Sequence, residues 1–289
     1  GFDEAMACYE SAVALDPDYA DPWSELGTAY SLEAGRGWAP VAEGFARARQ
    51  ATERALSLQP DLAEAHAAMA WIRLSHDWDW QGAGESIRRA MMLAPGSALV
   101  LARAGTLARV QGRRDAAVEL HRRSAAQDPL SSSIVNTLGH VRHLAGRYAE
   151  AEVVFRRALE LAPLRTISHA WLALSLFAQG RGDEASAEVV LEVDPEYRNW
   201  AKAILYNGLG HAPESDEALQ ELIARGAGDC AAQIAEAHAV RGEADAAFAW
   251  LERAHTQRDP GIFGVMASPF LRALHGDSRW ATFVKKLGL

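Results

Sequence analysis

The sequence predicts an all-α, right-handed superhelical solenoid of antiparallel helix pairs, and three observations carry that expectation. Prolines recur at Pro17, Pro60, Pro95, Pro129, Pro163 and Pro195, in steps of 43, 35, 34, 34 and 32 residues. Between them apolar residues return at helical spacing, and β-branched runs bounded by turns are missing. One stretch, residues 132–163 (SSIVNTLGHVRHLAGRYAEAEVVFRRALELAP), shows the whole unit. Ile134, Val135, Leu138 and Val141 form one stripe, Gly146 ends it, and Ala151, Phe155, Ala158 and Leu161 form a second before Pro163. One helix pair cannot bury both stripes, so the unit has to stack on copies of itself.

Taken in order, residues 2–17 repeat only the second half of the unit, with Ala5, Tyr9, Ala12, Leu15 and Pro17 on the columns of Ala151, Phe155, Ala158, Leu161 and Pro163. The opening at Gly1 therefore reads as a fragment that begins mid-repeat. The first full repeat carries Trp23, Leu26, Gly27 and Tyr30, and its nine extra residues around GRGWAPVAEG predict a longer inter-helix loop holding Trp38 and Pro40. The second replaces Gly with Ala70 and inserts HDWDWQGA, where Trp78 and Trp80 are expected to plug the turn and Asp79 or Asp77 to cap the next helix. The third has Leu101, Ala104, Gly105, Gly112 and Ala117.

In the fifth, two residues are lost between Gly180 and Pro195, which predicts a second helix short by about half a turn. The sixth is degenerate, and the seventh recovers with Ile234, Ala235, Gly242, Ala247, Leu251 and Ala254. Phe270, Leu271, Leu274, Trp280, Phe283, Val284 and Leu287 then predict a closing segment over the open end of the stack. The expected division is one solenoid over 1–289: a half repeat at 1–19, repeats at 20–62, 63–97, 98–131, 132–165, 166–197, 198–227 and 228–260, and a capping segment at 261–289.

A period near 34 with a small residue midway in the first helix, an Ala-aromatic-Ala ladder in the second and a closing Pro resembles the tetratricopeptide repeat (TPR). The combination of DWDW, RDPG and the closing PFLRALHGDSRWATFVKKLGL is further similar to the C-terminal repeat regions of bacterial multidomain signalling proteins. There such regions follow a cyclase, winged-helix regulator or kinase domain. The resemblance implies a regulatory arm and supplies no effector domain.

Composition narrows the function classes. A net charge of −9 with no continuous basic run disfavours nucleic acid as a partner. No apolar run of about 18 residues is present to insert in a membrane. Cys8 and Cys230 are too few for a disulfide framework, so a reducing, cytoplasmic setting is expected. No GxxxxGK[ST], GxSxG, HExxH or CxxC motif occurs, and carboxylates such as Asp183, Glu184 and Glu188 read as solvated helix faces. The chain is thus expected to be no enzyme and to need no cofactor. His140 and His143 are spaced to share an ion, with His121 and His169 in adjacent repeats, but no Cys or second close pair joins them, and no metal site is expected.

The expected site is the concave groove lined by successive first helices. Offsets from the buried columns place Trp71 in the second repeat, Arg103, Thr106 and Arg109 in the third, and Asn136, His140 and His143 in the fourth. They place Trp171, Leu174 and Phe177 in the fifth, and Lys202 and Tyr206 in the sixth. Arg and Asn suit the carboxylates and amides of an extended peptide, and the aromatic residues would anchor it. The expected partner is a protein or peptide segment. Trp171, Leu174 and Phe177 could instead pack on the final segment. Self-association into a homo-oligomer and small-ligand sensing stay open as rival roles.

Overall fold

The computed structural model describes residues 2–35 and 38–289, which form α-helices joined by turns and contain no β-strand. Arg36 and Gly37, inside the expected first loop, lie outside the described residues. By internal contacts the chain divides into two compact units, the first ending at Leu107 and the second beginning at Ala108.

The first unit holds α1 (Phe2–Leu15), α2 (Ala20–Gly35), α3 (Val41–Leu58), α4 (Ala63–Ile72), α5 (Trp80–Leu93) and α6 (Ala98–Val110) as far as Leu107. The nine surplus residues of the first repeat go largely into helix length, since α2 has 16 residues and α3 has 18. The unit at 132–163 needs only 13 and 14. The DWDW insert is absorbed by a π-helical turn, Arg73–Asp77, after which Trp78 adopts a left-handed conformation (φ 59°). A bulky residue there costs about 1–2 kcal/mol. Stacking of Trp78 on Trp80 at 6.2 Å offsets it, and Asp79 caps α5 by accepting from the Gly82 N–H at 2.8 Å. Asp77 turns away to pair with Arg49 at 2.6 Å.

The second unit stacks α7 (Arg114–Gln127), α8 (Ser132–Leu144), α9 (Tyr148–Leu161), α10 (Ser168–Ala178), α11 (Gly182–Val189), α12 (Pro195–Leu209), α13 (Ala212–Gly226), α14 (Ala231–Val240) and α15 (Ala244–Gln257). A 3-10 turn (Pro260–Gly264), a second one (Arg272–Gly276) and α16 (Ser278–Lys286) complete it. One column explains the repeated reversals. Gly112, Gly146, Gly180, Gly210 and Gly242 all have φ between 69° and 79°, a left-handed position that closes each first helix and that glycine adopts without steric penalty. Phe155 of α9 lies against Gly139 of α8, where an added Cβ would come within 2.7 Å of the ring. Gly139→Ala is therefore expected to destabilise the protein by about 1–3 kcal/mol in chemical denaturation, through overpacking of a fully buried ring.

The second helix of the fifth repeat is shorter than the half-turn loss its sequence predicts: α11 has 8 residues where α9 has 14. The shortening turns Glu192 inward, where it is 1 % exposed. Its carboxylate accepts from the Ile167 and Ala170 N–H groups at 3.0 and 3.1 Å and so caps α10, whose preceding Ile167 stands at φ 70°. Asp259 plays the same part for α14, accepting from the Ala232 N–H at 2.8 Å.

The closing segment departs from a simple end cap. Here α16 lies on the last helix pair, through Arg279 to Asp245 (2.7 Å) and over the Phe248 ring, and through the Lys286–Glu252 ion pair. The preceding text, PGIFGVMASPF, is too rich in Gly, Pro and small residues to make a helix. It runs instead across the inner row of first helices. Among the described residues no helix is long and apolar enough to cross a membrane.

Candidate binding groove

In the second unit one short stretch of chain, residues 259–270, touches five successive layers. Asp259 bonds to α14, Ser268 to Glu236 of α14, and Phe270 packs against Trp200 of α12, Trp171 of α10 and His143 of α8. At the far end Arg114 Nε donates to the Ala267 carbonyl at 3.2 Å, and Met266 lies beside Gly112. A row of helices that all reach a dozen residues must curve around them. The inner face of this unit is thus concave and is floored by the chain's own C-terminal segment.

That arrangement decides what each expected groove residue touches. Asn136 and His143, seven residues apart on α8, meet Ser168 and Ser175, seven apart on α10, so their faces pair in register. The Ser168 hydroxyl donates to Asn136 Oδ1 at 2.8 Å, and His143 Nδ1 is 2.9 Å from Ser175 Oγ. Both polar groups are spent between neighbouring helices, and both residues are buried. Trp171 is 5 % exposed and sits in a ring cluster with His140 (4.3 Å between centroids), Trp200 (4.8 Å), His143 (4.9 Å) and Phe270 (6.1 Å). Leu174 is buried, and Phe177 packs over Gly208 of α12. Tyr206 is half-buried beside His211.

The cations are placed differently. Arg109 and Lys202 of the second unit are half-buried, and among the described residues neither makes an ion pair or hydrogen bond. Burial pushes the Arg109 guanidinium down to about 10. In the first unit Arg103 lies 4.1 Å over the Trp71 ring, has no acidic partner, and is likewise pushed down by burial to about 10. Thr106 is turned back on its own helix, donating to the Ala102 carbonyl at 3.0 Å.

Buried neutral histidines lie beside these residues. Burial drives His121 and His143 down to about 3, with Arg109 adding to the effect on His121. His140 is also held well below the usual imidazole range by burial and by Arg109, His143 and His121. Both ring nitrogens of His121 lack a hydrogen-bond partner. Glu236 is the counterpart on the floor: burial pushes it up to about 7, although it accepts from Ser268 Oγ at 2.6 Å and Trp200 Nε1 at 3.1 Å. Phe270 meets the alternative in which Trp171 packs on the final segment, whereas the role of Ser268 escaped the sequence. An Ala-Ser-Pro-Phe string in a Gly-rich stretch signals a turn, and nothing local says which surface it meets.

Comparison with known proteins bears on the fold. A TPR repeat family model matches residues 2–32, across α1 and most of α2, and a tetratricopeptide repeat model matches residues 132–163, which is α8 with α9. No curated protein matches the sequence. Among solved structures, PilF of Pseudomonas aeruginosa is 21 % identical, with a TM-score of 0.55 over 82 % of this chain and 97 % of its own. PilW, a type IV pilus biogenesis factor, is 18 % identical, with a TM-score of 0.52 over 75 % and 90 %. Human IFIT1, solved as a dimer with PPP-AAAA, is 17 % identical, with a TM-score of 0.56 over 88 % and 68 %. At these identities the likeness speaks for the fold alone. Tetratricopeptide repeat models thus match two stretches of the chain, and the solved structures share its fold.

Proposed function

We propose that the protein is a non-enzymatic interaction scaffold whose inner first-helix faces receive an extended protein or peptide segment with acidic and apolar residues. One observation carries the reading. Arg103, Arg109 and Lys202 stand half-buried on first helices without an acid to pair with, in a chain with 38 acidic residues and a net charge of −9. Leaving cations desolvated and unpaired is costly, and a carboxylate from outside would recover that cost. Arg109 offers a planar donor fork to such a group. The resemblance of DWDW, RDPG and the closing sequence to signalling proteins extends the proposal to the regulatory arm of a bacterial, cytoplasmic signalling protein. Effector output of the parent protein, compared with and without Arg109→Gln, tests that extension.

The binding test is a synthetic peptide array of acidic-apolar sequences, followed by titration of the best binders. Arg109→Gln or Arg103→Gln is expected to weaken them about 10- to 100-fold, the loss of one charge-assisted hydrogen-bonded pair. Unchanged affinity in both variants would remove the groove reading.

A further inference from the structure

The inner face of the second unit already holds a peptide. Residues 265–271 lie on it without a single backbone-to-backbone hydrogen bond to the helices. The Val265, Ala267 and Ser268 N–H groups all bond locally, to Ile262 and Gly264 of the 3-10 turn just before the segment. What joins the segment to the groove is side-chain recognition. Ala267 is 1 % exposed, the Ser268 hydroxyl donates to Glu236, and the Phe270 ring enters the cluster of Trp171, Trp200 and His143. Arg114 takes the Ala267 carbonyl, the one backbone group of the segment held by a helix side chain. A turn held through small, hydroxyl and aromatic side chains has the chemistry of a bound ligand. Met266, Pro269 and Phe270 also keep part of their surface open.

We infer that this segment is an intramolecular ligand, and that the groove accepts in trans a partner segment of the form small-Ser-Pro-aromatic in competition with it. This rests on the reading of the inner face as a peptide groove and adds what the groove recognises there. In the intact chain the tethered copy has a high effective concentration, so a partner gains the site only when the tail is loosened. Openings of this kind are drawn from the least stable parts of a fold.

The probe is a fluorescent synthetic peptide with the sequence of residues 262–273, IFGVMASPFLRA, titrated into the full chain. It is expected to bind Phe270→Ala at least tenfold more tightly than the unchanged protein, and a peptide with the same Phe replaced by Ala is expected not to bind. Ser268→Ala, a milder change, should give an intermediate gain and serves should Phe270→Ala fail to fold. Hydrogen exchange on the unchanged protein gives a second reading, with amides 265–271 expected to exchange at least tenfold faster than those of α8, α10 and α12. A folded Phe270→Ala or Ser268→Ala chain that does not bind the peptide would overturn the inference. So would amides 265–271 that exchange only with global unfolding. If acidic-apolar peptides still bind through Arg109 in that case, the intramolecular ligand falls and the groove reading stands.

Discussion

Lowering the pH from 7.5 to 5 is expected to cost the second unit about 4 kcal/mol through its buried histidines, of which Glu236 returns about 2, so that the net loss is a sizeable part of what holds an ordinary domain together. The source is the set of buried neutral histidines. His121 and His143 are held at about 3 by burial, whereas an unfolded chain protonates histidine near 6.5. Below that value the unfolded state binds protons that the folded state refuses, so stability falls as pH falls. Each such histidine contributes roughly 2 kcal/mol of loss at pH 5, and His140, shifted in the same direction, adds to it. Urea denaturation at half-unit pH steps, followed by exchange of amides in α8 and α10, measures the slope. His121→Leu is expected to flatten it and to raise stability at low pH, because both ring nitrogens of His121 are unpartnered and an apolar replacement leaves none to satisfy. A pH-independent midpoint between 5 and 7 would refute this account.

The carboxylates facing the same interior run the other way, and the signs have to be kept apart. Glu236 is raised by burial to about 7, so its contribution is complete below the unfolded value near 4.5 and is lost as pH climbs through 7. Asp259, also raised by burial and lying close enough to act on Glu236, has the same sign at lower pH. Two or three histidines outweigh one or two carboxylates below pH 6. The two slopes cancel near pH 7, so maximal stability is expected there, with a gentle alkaline limb from Glu236 and a steeper acid limb from the histidines.

What was legible in the sequence follows from range. The glycines that close each first helix, the Asp79 cap and the shortening of α11, though not its extent, are set by residues a few positions apart, and period and spacing suffice to find them. The inner-face residues follow from the same periodicity as far as the face is concerned. Their partners do not. Asn136 meets Ser168 and His143 meets Ser175 only because α8 and α10 lie in lateral register, and Trp171 meets Phe270 across about 100 residues of chain. The surplus of nine residues in the first repeat was ambiguous for a related reason: extra length fits a loop or longer helices equally, and packing of α3 on α2 favours helices.

Trp171→Ala is expected to destabilise the second unit by about 3–5 kcal/mol, the cost of deleting a buried aromatic together with the cavity it leaves. Trp171 is the one ring in contact with all the others on this face: His140, His143, Trp200 and Phe270 each approach it within 6.1 Å. Its loss removes the seat of Phe270, so limited proteolysis should cut within residues 265–271 earlier in Trp171→Ala than in the unchanged protein. Trp171→Phe separates packing from polarity. It keeps a ring in place and removes an indole Nε1 that has no hydrogen-bond partner, so it should cost less than about 1.5 kcal/mol. A loss below 1 kcal/mol for Trp171→Ala would mean that the ring cluster is dispensable, and the tail would then be held by Ser268 and Arg114 alone. The expected ordering, Ala far worse than Phe, makes Trp171 the support beneath the groove's floor. Any change in partner binding by Trp171→Ala then has to be read through the docking of residues 265–271.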